Sequence, residues 1–341
     1  MGWMKWIRSL SGAIVTGIFL SGCDLSKISL DDIIDACDGM TVEEVMVSGA
    51  LSDECREALT ALLPERETSH LDRIYVLGAE RAGDNALVYV HGIGDDSSIM
   101  TSADFADATV TPITADGSDA LMSVGSVSSE QLGPDYGEVL SVSFVTDYSG
   151  SMRDEDLELI ADLHADLVTG LPEVYEAEVV LFSTEVERKV AFTEDKTKLL
   201  DGLALDTSYE RDSTALYDGM GKGVDGLSSR SRPARLMIVA TDGAENDSIE
   251  WRRSELVEAM KDEDIYVVMI GSLFSDLEEL HALTRGRGVY FYAADYLWIQ
   301  SEVETWIESI STSTALRIEG LPSDTTGVRI EVAGKSVTVT F

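Results

Sequence analysis

Between about residues 138 and 312, short and continuously apolar segments alternate with stretches in which apolar residues recur at helical spacing. The apolar segments are VLSVSFVTD, AEVVLFS, RLMIVATDG, IYVVMIGS and GVYFYAAD, and the helical stretches include DLELIADLHADLV, SELVEAMKD and a last one through Trp298 and Trp306. Buried strands separated by amphipathic helices form a mostly parallel sheet covered on both faces. The pattern predicts an α/β, doubly wound domain over 137–312, with functional residues at the carboxyl ends of its strands.

Hydroxyl and carboxylate side chains occur at several of these strand ends. The first strand ends in Asp147, which is followed by Ser149 and Ser151. Thr214 precedes the helical stretch ALYDGMGKGV, and Asp242 follows the strand LMIVAT. An alternative interpretation makes Asp147 a helix cap, places both serines in a turn and puts Asp242 in a strand-end turn.

The order Asp-x-Ser-x-Ser, a distant Thr, then Asp-Gly after a core strand resembles the von Willebrand factor A domain, also called the integrin I-like domain, with its metal-ion-dependent adhesion site. By that resemblance Ser149 and Ser151 place their hydroxyl groups on the metal. Thr214 binds it directly or through water, and Asp147 and Asp242 bind it directly or through bridging waters. The segment STALYDGM is also similar to the family. The family's helix at this position normally holds fewer glycines than this chain has, so a less rigid helix is expected here.

The chemistry of these side chains agrees with a metal site. Hydroxyl and carboxylate oxygens are hard ligands that suit Mg²⁺, Mn²⁺ or Ca²⁺. The chain has 25 basic and 63 acidic residues and a formal net charge of −38, which excludes nucleic acid as a partner. A bound cation reverses the sign of the local field. We therefore expect a protein ligand that offers an Asp or Glu carboxylate to the metal, and a binding or adhesion module rather than an enzyme. The alternative is an assembly or chaperone-like A-domain factor of the cell envelope.

The first 22 residues differ from the rest of the chain. Lys5 and Arg8 form a basic start, and the apolar run SLSGAIVTGIFLSG follows. The run is shorter than a typical transmembrane helix, and residues 1–22 have the form of a secretory signal. It ends in Leu-Ser-Gly before Cys23, which resembles the lipobox of bacterial lipoproteins. The resemblance implies that Cys23 is lipidated and anchors the protein to a membrane of the bacterial cell envelope, on its periplasmic or surface face. An ordinary signal or an uncleaved anchor is the alternative.

Two further cysteines, Cys37 and Cys55, lie in the segment 23–66. A compartment outside the cytoplasm permits disulfides. We predict a Cys37–Cys55 bridge across two or three short helices, supported by capping-box spacing at Ser29 and Thr41. Two free buried thiols are the alternative.

Apolar residues alternate with a period of two on either side of the α/β segment. RIYVLGAE, NALVYVHGI, DATVTPIT and ALMSVGSV predict strands of a small β-rich, sandwich-like domain over 67–136. LRIEGL, GVRIEV and KSVTVTF predict strands over 313–341. The latter are too few to hold a core alone, so they are expected to complete the first sheet or to pack on its neighbour.

A remote alternative is an α/β-hydrolase. NALVYVHGIGDDSS resembles the strand and oxyanion loop of that family, and Ser149, Asp242 and His281 follow its order of catalytic residues. Such an enzyme needs G-x-S-x-G around its nucleophile. Around Ser149, the two glycine positions of that motif are occupied by Asp147 and Ser151. A carboxylate so close would oppose the oxyanion formed on attack. We expect His91 at a sheet edge and His281 on the surface of a helix.

Overall fold

A computed structural model describes the molecule over 74–94, 98–120, 122–132, 140–170, 175–242, 245–271, 277–284, 288–292, 305–306, 308–310 and 312–341. The predicted signal peptide, the predicted lipidation residue Cys23 and the predicted disulfide pair Cys37 and Cys55 lie outside these residues. Within the described ranges, none of the helices has the length and apolar character required to span a bilayer.

The secondary-structure elements follow one another along the chain as strands and helices in mixed order. The strands are β1 (Ile74–Ala82), β2 (Asn85–Gly92), β3 (Thr109–Thr114), β4 (Ser126–Gln131), β5 (Leu140–Asp147), β6 (Glu176–Phe182), β7 (Val186–Thr193), β8 (Ala234–Thr241), β9 (Tyr266–Gly271), β10 (Gly288–Tyr292), β11 (Thr314–Glu319), β12 (Thr325–Val332) and β13 (Lys335–Thr340). The helices are α1 (Ser102–Phe105), α2 (Asp154–Gly170), α3 (Lys196–Leu203), α4 (Leu216–Ser228), α5 (Arg253–Asp262) and α6 (Leu277–Thr284). Residues 305–306 and 308–310 are also helical.

The largest sheet has the strand order β10-β9-β8-β5-β6-β7. Its neighbours pair in parallel except for β7, which is antiparallel to β6. This confirms the predicted α/β, mostly parallel fold. Sequence reasoning missed β7 because it is an edge strand that carries charged residues, and an exposed edge shows no continuous apolar run.

Helices cover this sheet on both faces. On one face α2 packs through Leu157, Ile160 and Leu163, in a core that also includes residues of α3. On the other face α4, α5 and α6 share a core that includes Leu216 and Met220. The central strand β5 is therefore buried along its whole length.

Glycines do not interrupt α4, although a less rigid helix was expected. A Cβ atom on Gly219 would lie 2.7 Å from the Phe182 ring, and one on Gly221 would meet the ring of Trp251. The glycines therefore let α4 approach the sheet and the following loop closely. Burial against these rings offsets their low helix propensity.

Two smaller antiparallel sheets have the orders β1-β2-β11-β4 and β13-β12-β3. They enclose a core of their own with side chains that include Val88, Phe105, Leu316 and Ile330. The C-terminal β11 lies between β2 and β4, so strands from both ends of the described chain form one sheet. The strand expected at ALMSVGSV begins only at Ser126, where the ladder with β11 starts.

The first small sheet packs on the amino-terminal end of the large sheet. Gly78 of β1 lies against the backbone of Pro233, which precedes β8, and Tyr75 contacts the ring of Tyr266 at the start of β9. The expectation that His91 lies at a sheet edge was wrong, because β2 is an interior strand. His91 is fully buried, its Nδ1 is 2.7 Å from Ser309 Oγ, and burial lowers its pKa to about 3.

Candidate metal site

Asp147, the last residue of β5, is held by two hydrogen bonds. Its Oδ1 accepts from the backbone N–H of Ser149 at 2.7 Å, and its Oδ2 accepts from the Thr241 hydroxyl at 2.7 Å. Thr241 is the last residue of the neighbouring strand β8. All three residues are fully buried. The carboxyl ends of β5 and β8 thus meet at this side chain.

Ser149 and Ser151 extend the group towards solvent. Their Oγ atoms are 3.0 Å apart, and the Ser151 hydroxyl is also hydrogen-bonded to the carboxyl of Asp242. Ser149 is buried, Asp242 is half-buried and Ser151 is exposed. The structure therefore brings four of the five predicted residues together in one group that opens at the surface.

Backbone contacts shape the segment that carries both serines. The N–H of Gly150 donates to the carbonyl of Asp212 at 2.8 Å, and the N–H of Tyr148 donates to the carbonyl of Phe182 at 2.7 Å. A Cβ atom on Gly150 would lie 3.1 Å from the Asp212 oxygen. Glycine at this position permits the close approach of the two loops.

Thr214 reaches the same edge of the sheet through its backbone. It directly follows the loop of Asp212 and is 2% exposed. Its N–H donates to Asn246 Oδ1 at 2.9 Å, and its carbonyl accepts from the N–H groups of Asn246 and Asp247 at 3.0 and 3.2 Å. Among the described residues, no hydrogen bond joins the Thr214 hydroxyl to the other four predicted ligands.

The two carboxyl groups of the site are electrostatically unfavourable as anions. Burial and the charge of Asp242 raise the pKa of Asp147 to about 7, although the hydrogen bonds from Thr241 and Ser149 lower it. Burial also raises the pKa of Asp242, although the hydrogen bond from Ser151 lowers it. A cation at this position would favour both ionised forms.

The donor atoms present fit a hard divalent cation. Asp242 Oδ1 is buried and has no hydrogen-bond partner among the described residues, and such an atom is costly unless a ligand or water completes it. In the described part of the chain, no three His, Cys, Asp or Glu side chains cluster in a way that could hold a metal. The candidate site has two carboxylates and obtains its other oxygens from hydroxyl groups.

Sequence reasoning missed two residues that build the site. Thr241 is a polar residue at the end of an apolar strand, directly before Asp242, and that position is a signal that could have identified it. Asn246 lies in a loop where the local sequence gives no comparable signal. Its role depends on the fold, which places it beside Thr214.

The hydrolase alternative receives no support from the geometry. His281 is exposed on α6, as expected, and its ring lies 6.3 Å from that of Tyr290. Within the described residues no hydrogen bond links His281 to Ser149, whose hydroxyl contacts Ser151 instead.

Residues 141–304 match the family model of the von Willebrand factor type A domain. This segment is a von Willebrand factor type A domain. The match covers slightly less than half of the 341 residues. A domains are generally non-catalytic modules that bind protein partners, and their metal-ion-dependent adhesion sites bind divalent cations. At this coarse level the family agrees with the expectation of a binding module. Among curated proteins, none matches the chain significantly.

Several solved structures are similar to part of this chain. Proximal thread matrix protein 1 from the mussel byssus is 17% identical with a TM-score of 0.44, over 52% of this chain and 47% of that chain. The conserved hypothetical protein BatB from Bacteroides thetaiotaomicron is 17% identical with a TM-score of 0.44, over 50% of this chain and 98% of that one. A von Willebrand factor type A protein from Catenulispora acidiphila is 10% identical with a TM-score of 0.43, over 78% and 70%. The chain thus spans about half the length of the mussel protein.

Proposed function

We propose that this protein is a membrane-anchored, metal-dependent binding or adhesion module, which captures an acidic side chain of a partner protein through a divalent cation. Asp147, Ser149, Ser151, Thr214 and Asp242 hold the ion, which is Mg²⁺, or Mn²⁺ or Ca²⁺ in its place. The observation that carries the proposal is the pair of carboxyl groups beside two serine hydroxyls: Asp147 is buried, and half-buried Asp242 has one oxygen without a hydrogen-bond partner in the described part of the chain.

The donor set accounts for the choice of metal and of partner. Hydroxyl, carboxylate and water oxygens suit hard cations, and an ion with few anionic ligands stays strongly attractive to a further carboxylate. Ser151 is exposed, so the side on which a ligand would arrive faces solvent. The metal supplies local positive charge on a chain of net charge −38, which would otherwise repel an acidic partner.

The sequence near the amino terminus supports the proposed anchor. The lipobox-like end of the apolar run supports lipidation of Cys23 and a location in the bacterial cell envelope. A Cys37–Cys55 disulfide would then cross-link the segment 23–66, which begins at the anchor.

The metal assignment is tested with Asp147→Asn, which keeps the shape of the side chain and removes its charge. We expect the affinity for Mg²⁺ or Mn²⁺ to fall at least about tenfold, because the substitution removes a negative charge and replaces a carboxylate oxygen with the weaker amide ligand. Calorimetric titration of the full-length protein measures the affinity, and Asp162→Ala, at an exposed acid on α2, is the matched control. Unchanged affinity in Asp147→Asn would remove the metal site from the proposal.

Capture of a partner is tested separately with an envelope extract in Mg²⁺ and in EDTA. We expect a bound protein that is released by EDTA and is lost from the Thr214→Ala variant. A partner that stays bound in EDTA and to that variant would show that another surface makes the contact.

A further inference from the structure

An apolar side chain is exposed in the loop that follows the candidate site. We name residues 245–251 the rim loop; it lies between Asp242 and α5. Among the described residues the exposed large hydrophobic side chains are Met122, Ile249 and Phe341, and Ile249 is the most exposed of them at 90%. A single exposed apolar residue is common on protein surfaces, so the case for Ile249 depends on how its loop is held and where it lies.

Asp218 of α4 holds the rim loop at Ile249 itself. Its carboxylate accepts from the backbone N–H groups of Ile249, Glu250 and Trp251 at 2.8, 3.0 and 2.8 Å. The ring of Trp251 also packs against Gly221 of the same helix. Charge-assisted bonds from one carboxylate to three successive N–H groups restrict the loop strongly.

Glu245 holds the first half of the rim loop in the same way. Its carboxylate accepts from the N–H groups of Asp247 and Ser248 at 3.0 and 2.8 Å, and from the N–H of Tyr217 in the first turn of α4 at 3.1 Å. Two half-buried acids thus order the loop from both of its ends. Ile249 is presented to solvent by a loop that is already rigid.

The rim loop is also joined to the candidate metal site. Asn246 exchanges backbone and side-chain hydrogen bonds with Thr214 at 2.9 and 3.0 Å, and Asp247 adds a third at 3.2 Å. Thr214 and Ile249 therefore belong to one hydrogen-bonded unit at the first turn of α4. A ligand bound at the metal would lie beside this unit.

From these contacts we infer that Ile249 determines the specificity of the metal site, by packing on an apolar side chain that the partner carries near its metal-binding Asp or Glu. This inference rests on the proposed function. Water is displaced from Ile249 when it is covered, which favours binding. Because the rim loop is ordered beforehand, little conformational entropy is lost.

The ligand class is tested by selecting a displayed library of random peptides on the full-length protein in Mg²⁺ and eluting with EDTA. We expect the eluted peptides to share an Asp or Glu and an apolar residue at a constant separation from it. Calorimetry then compares one such peptide, and its apolar-to-Ser derivative, on the wild type, Ile249→Ser and the control Met122→Ser.

If the two apolar side chains are in contact, the effects on binding of substituting Ile249 and of substituting the apolar residue of the peptide should not be additive. Ile249→Ser should lower the affinity for the parent peptide about tenfold or more and should leave the affinity for its apolar-to-Ser derivative nearly unchanged. The affinity for Mg²⁺ should be unchanged in Ile249→Ser and in Met122→Ser. Met122→Ser should bind both peptides as the wild type does. If Ile249→Ser binds the parent peptide as well as the wild type does, Ile249 is not a contact, although metal-dependent capture stands. If EDTA elutes no peptides, metal-dependent capture fails and this inference fails with it.

Discussion

Glu178 of β6 shows at the scale of one residue how this fold tolerates a buried acid away from the metal site. Its Oε1 accepts from the Ser143 hydroxyl at 2.9 Å, and its Oε2 lies 2.6 Å from Arg188 Nε. Burial raises the pKa of Glu178 from 4.5 to about 7, although the charge of Arg188 lowers it. Removal from water therefore outweighs the ion pair in setting the protonation of this group.

The raised pKa of Glu178 predicts a defined pH dependence of stability. An acid whose pKa is higher in the folded state binds its proton more tightly there, so its contribution to stability is complete below pH 4.5 and is lost as the pH rises through about 7. Glu178→Gln cannot titrate, and we expect the fall in the free energy of unfolding over this window to be smaller by on the order of 2 kcal/mol.

Urea unfolding at about pH 5 and about pH 8, in EDTA so that the metal site does not contribute, measures this difference. Glu187→Gln is the control, because Glu187 is an exposed acid on the neighbouring strand. If wild type and Glu178→Gln lose the same stability between these pH values, Glu178 is ionised throughout and the ion pair with Arg188 dominates.

At the scale of elements, α4 joins the sheet, the candidate site and the rim loop. Its first turn provides Asp218, whose carboxylate holds the rim loop, and its start follows Thr214 directly. Gly219 lets the helix lie against Phe182, the last residue of β6. The position of α4 against β6 therefore sets the position of the loops at the carboxyl end of the sheet.

Gly219→Ala tests this close packing. Alanine is favoured over glycine in a helix by about 1 kcal/mol, but the added methyl group would lie 2.7 Å from the buried Phe182 ring. We expect a net loss of about 1–2 kcal/mol in the free energy of unfolding, since overpacking outweighs propensity. Chemical denaturation measures the change.

Asp225→Ala, at an exposed position of the same helix, is the matched control and should change stability by less than about 0.5 kcal/mol. An increase in stability for Gly219→Ala would mean that α4 can move away from β6 at little cost. The glycines of this helix would then have no packing role.

At the scale of the whole molecule, the first small sheet and the candidate site lie at opposite ends of the large sheet. β1 contacts the start of β8 through Gly78, whereas Asp242 follows the end of β8. Tyr75 and Leu77 of β1 belong to the same core as Leu157 of α2. The β-rich part and the A domain thus share a core, and the edge that carries the candidate site lies away from their junction.

The strongly negative net charge of the chain affects its electrostatic interaction with a membrane surface. Removal of 1–22 would delete Lys5 and Arg8 and no acidic residue, so the remaining chain would be more negative than −38. Anionic headgroups repel such a surface, so under the proposed anchoring the acyl chains would supply the attachment. We expect Cys23→Ser to lose its acyl mass and either leave the membrane fraction or persist as the precursor.

Intact-mass measurement of the wild-type protein from its native source and of the variant checks this proposed anchor. An acyl mass on the wild type that is absent from Cys23→Ser supports lipidation at that residue. A wild-type mass that corresponds to the bare polypeptide would contradict it.

The amino-acid sequence by itself determined the class of the central domain and the types of residue at its candidate site. Continuous apolar strands such as Leu140–Asp147 can be buried only between two layers, and the amphipathic helices between them supply those layers. The local sequence also determined that Asp147 ends a strand and that Asp242 follows one. Parallel strands bring their carboxyl ends to one edge, so the two acids could be expected to meet.

Only the tertiary structure decided which partners these side chains receive. The strand order places Thr241 beside Asp147 and leaves Asp242 Oδ1 without a hydrogen bond among the described residues. His91 is buried because a strand from the far end of the chain, β11, pairs with β2 and turns an apparent edge into an interior. From the sequence alone, the glycines of α4 are only weak helix formers. The structure shows that Gly219 and Gly221 pack closely against the rings of Phe182 and Trp251. In each case the deciding contact joins residues far apart in sequence, and local pattern carries no information about such pairs.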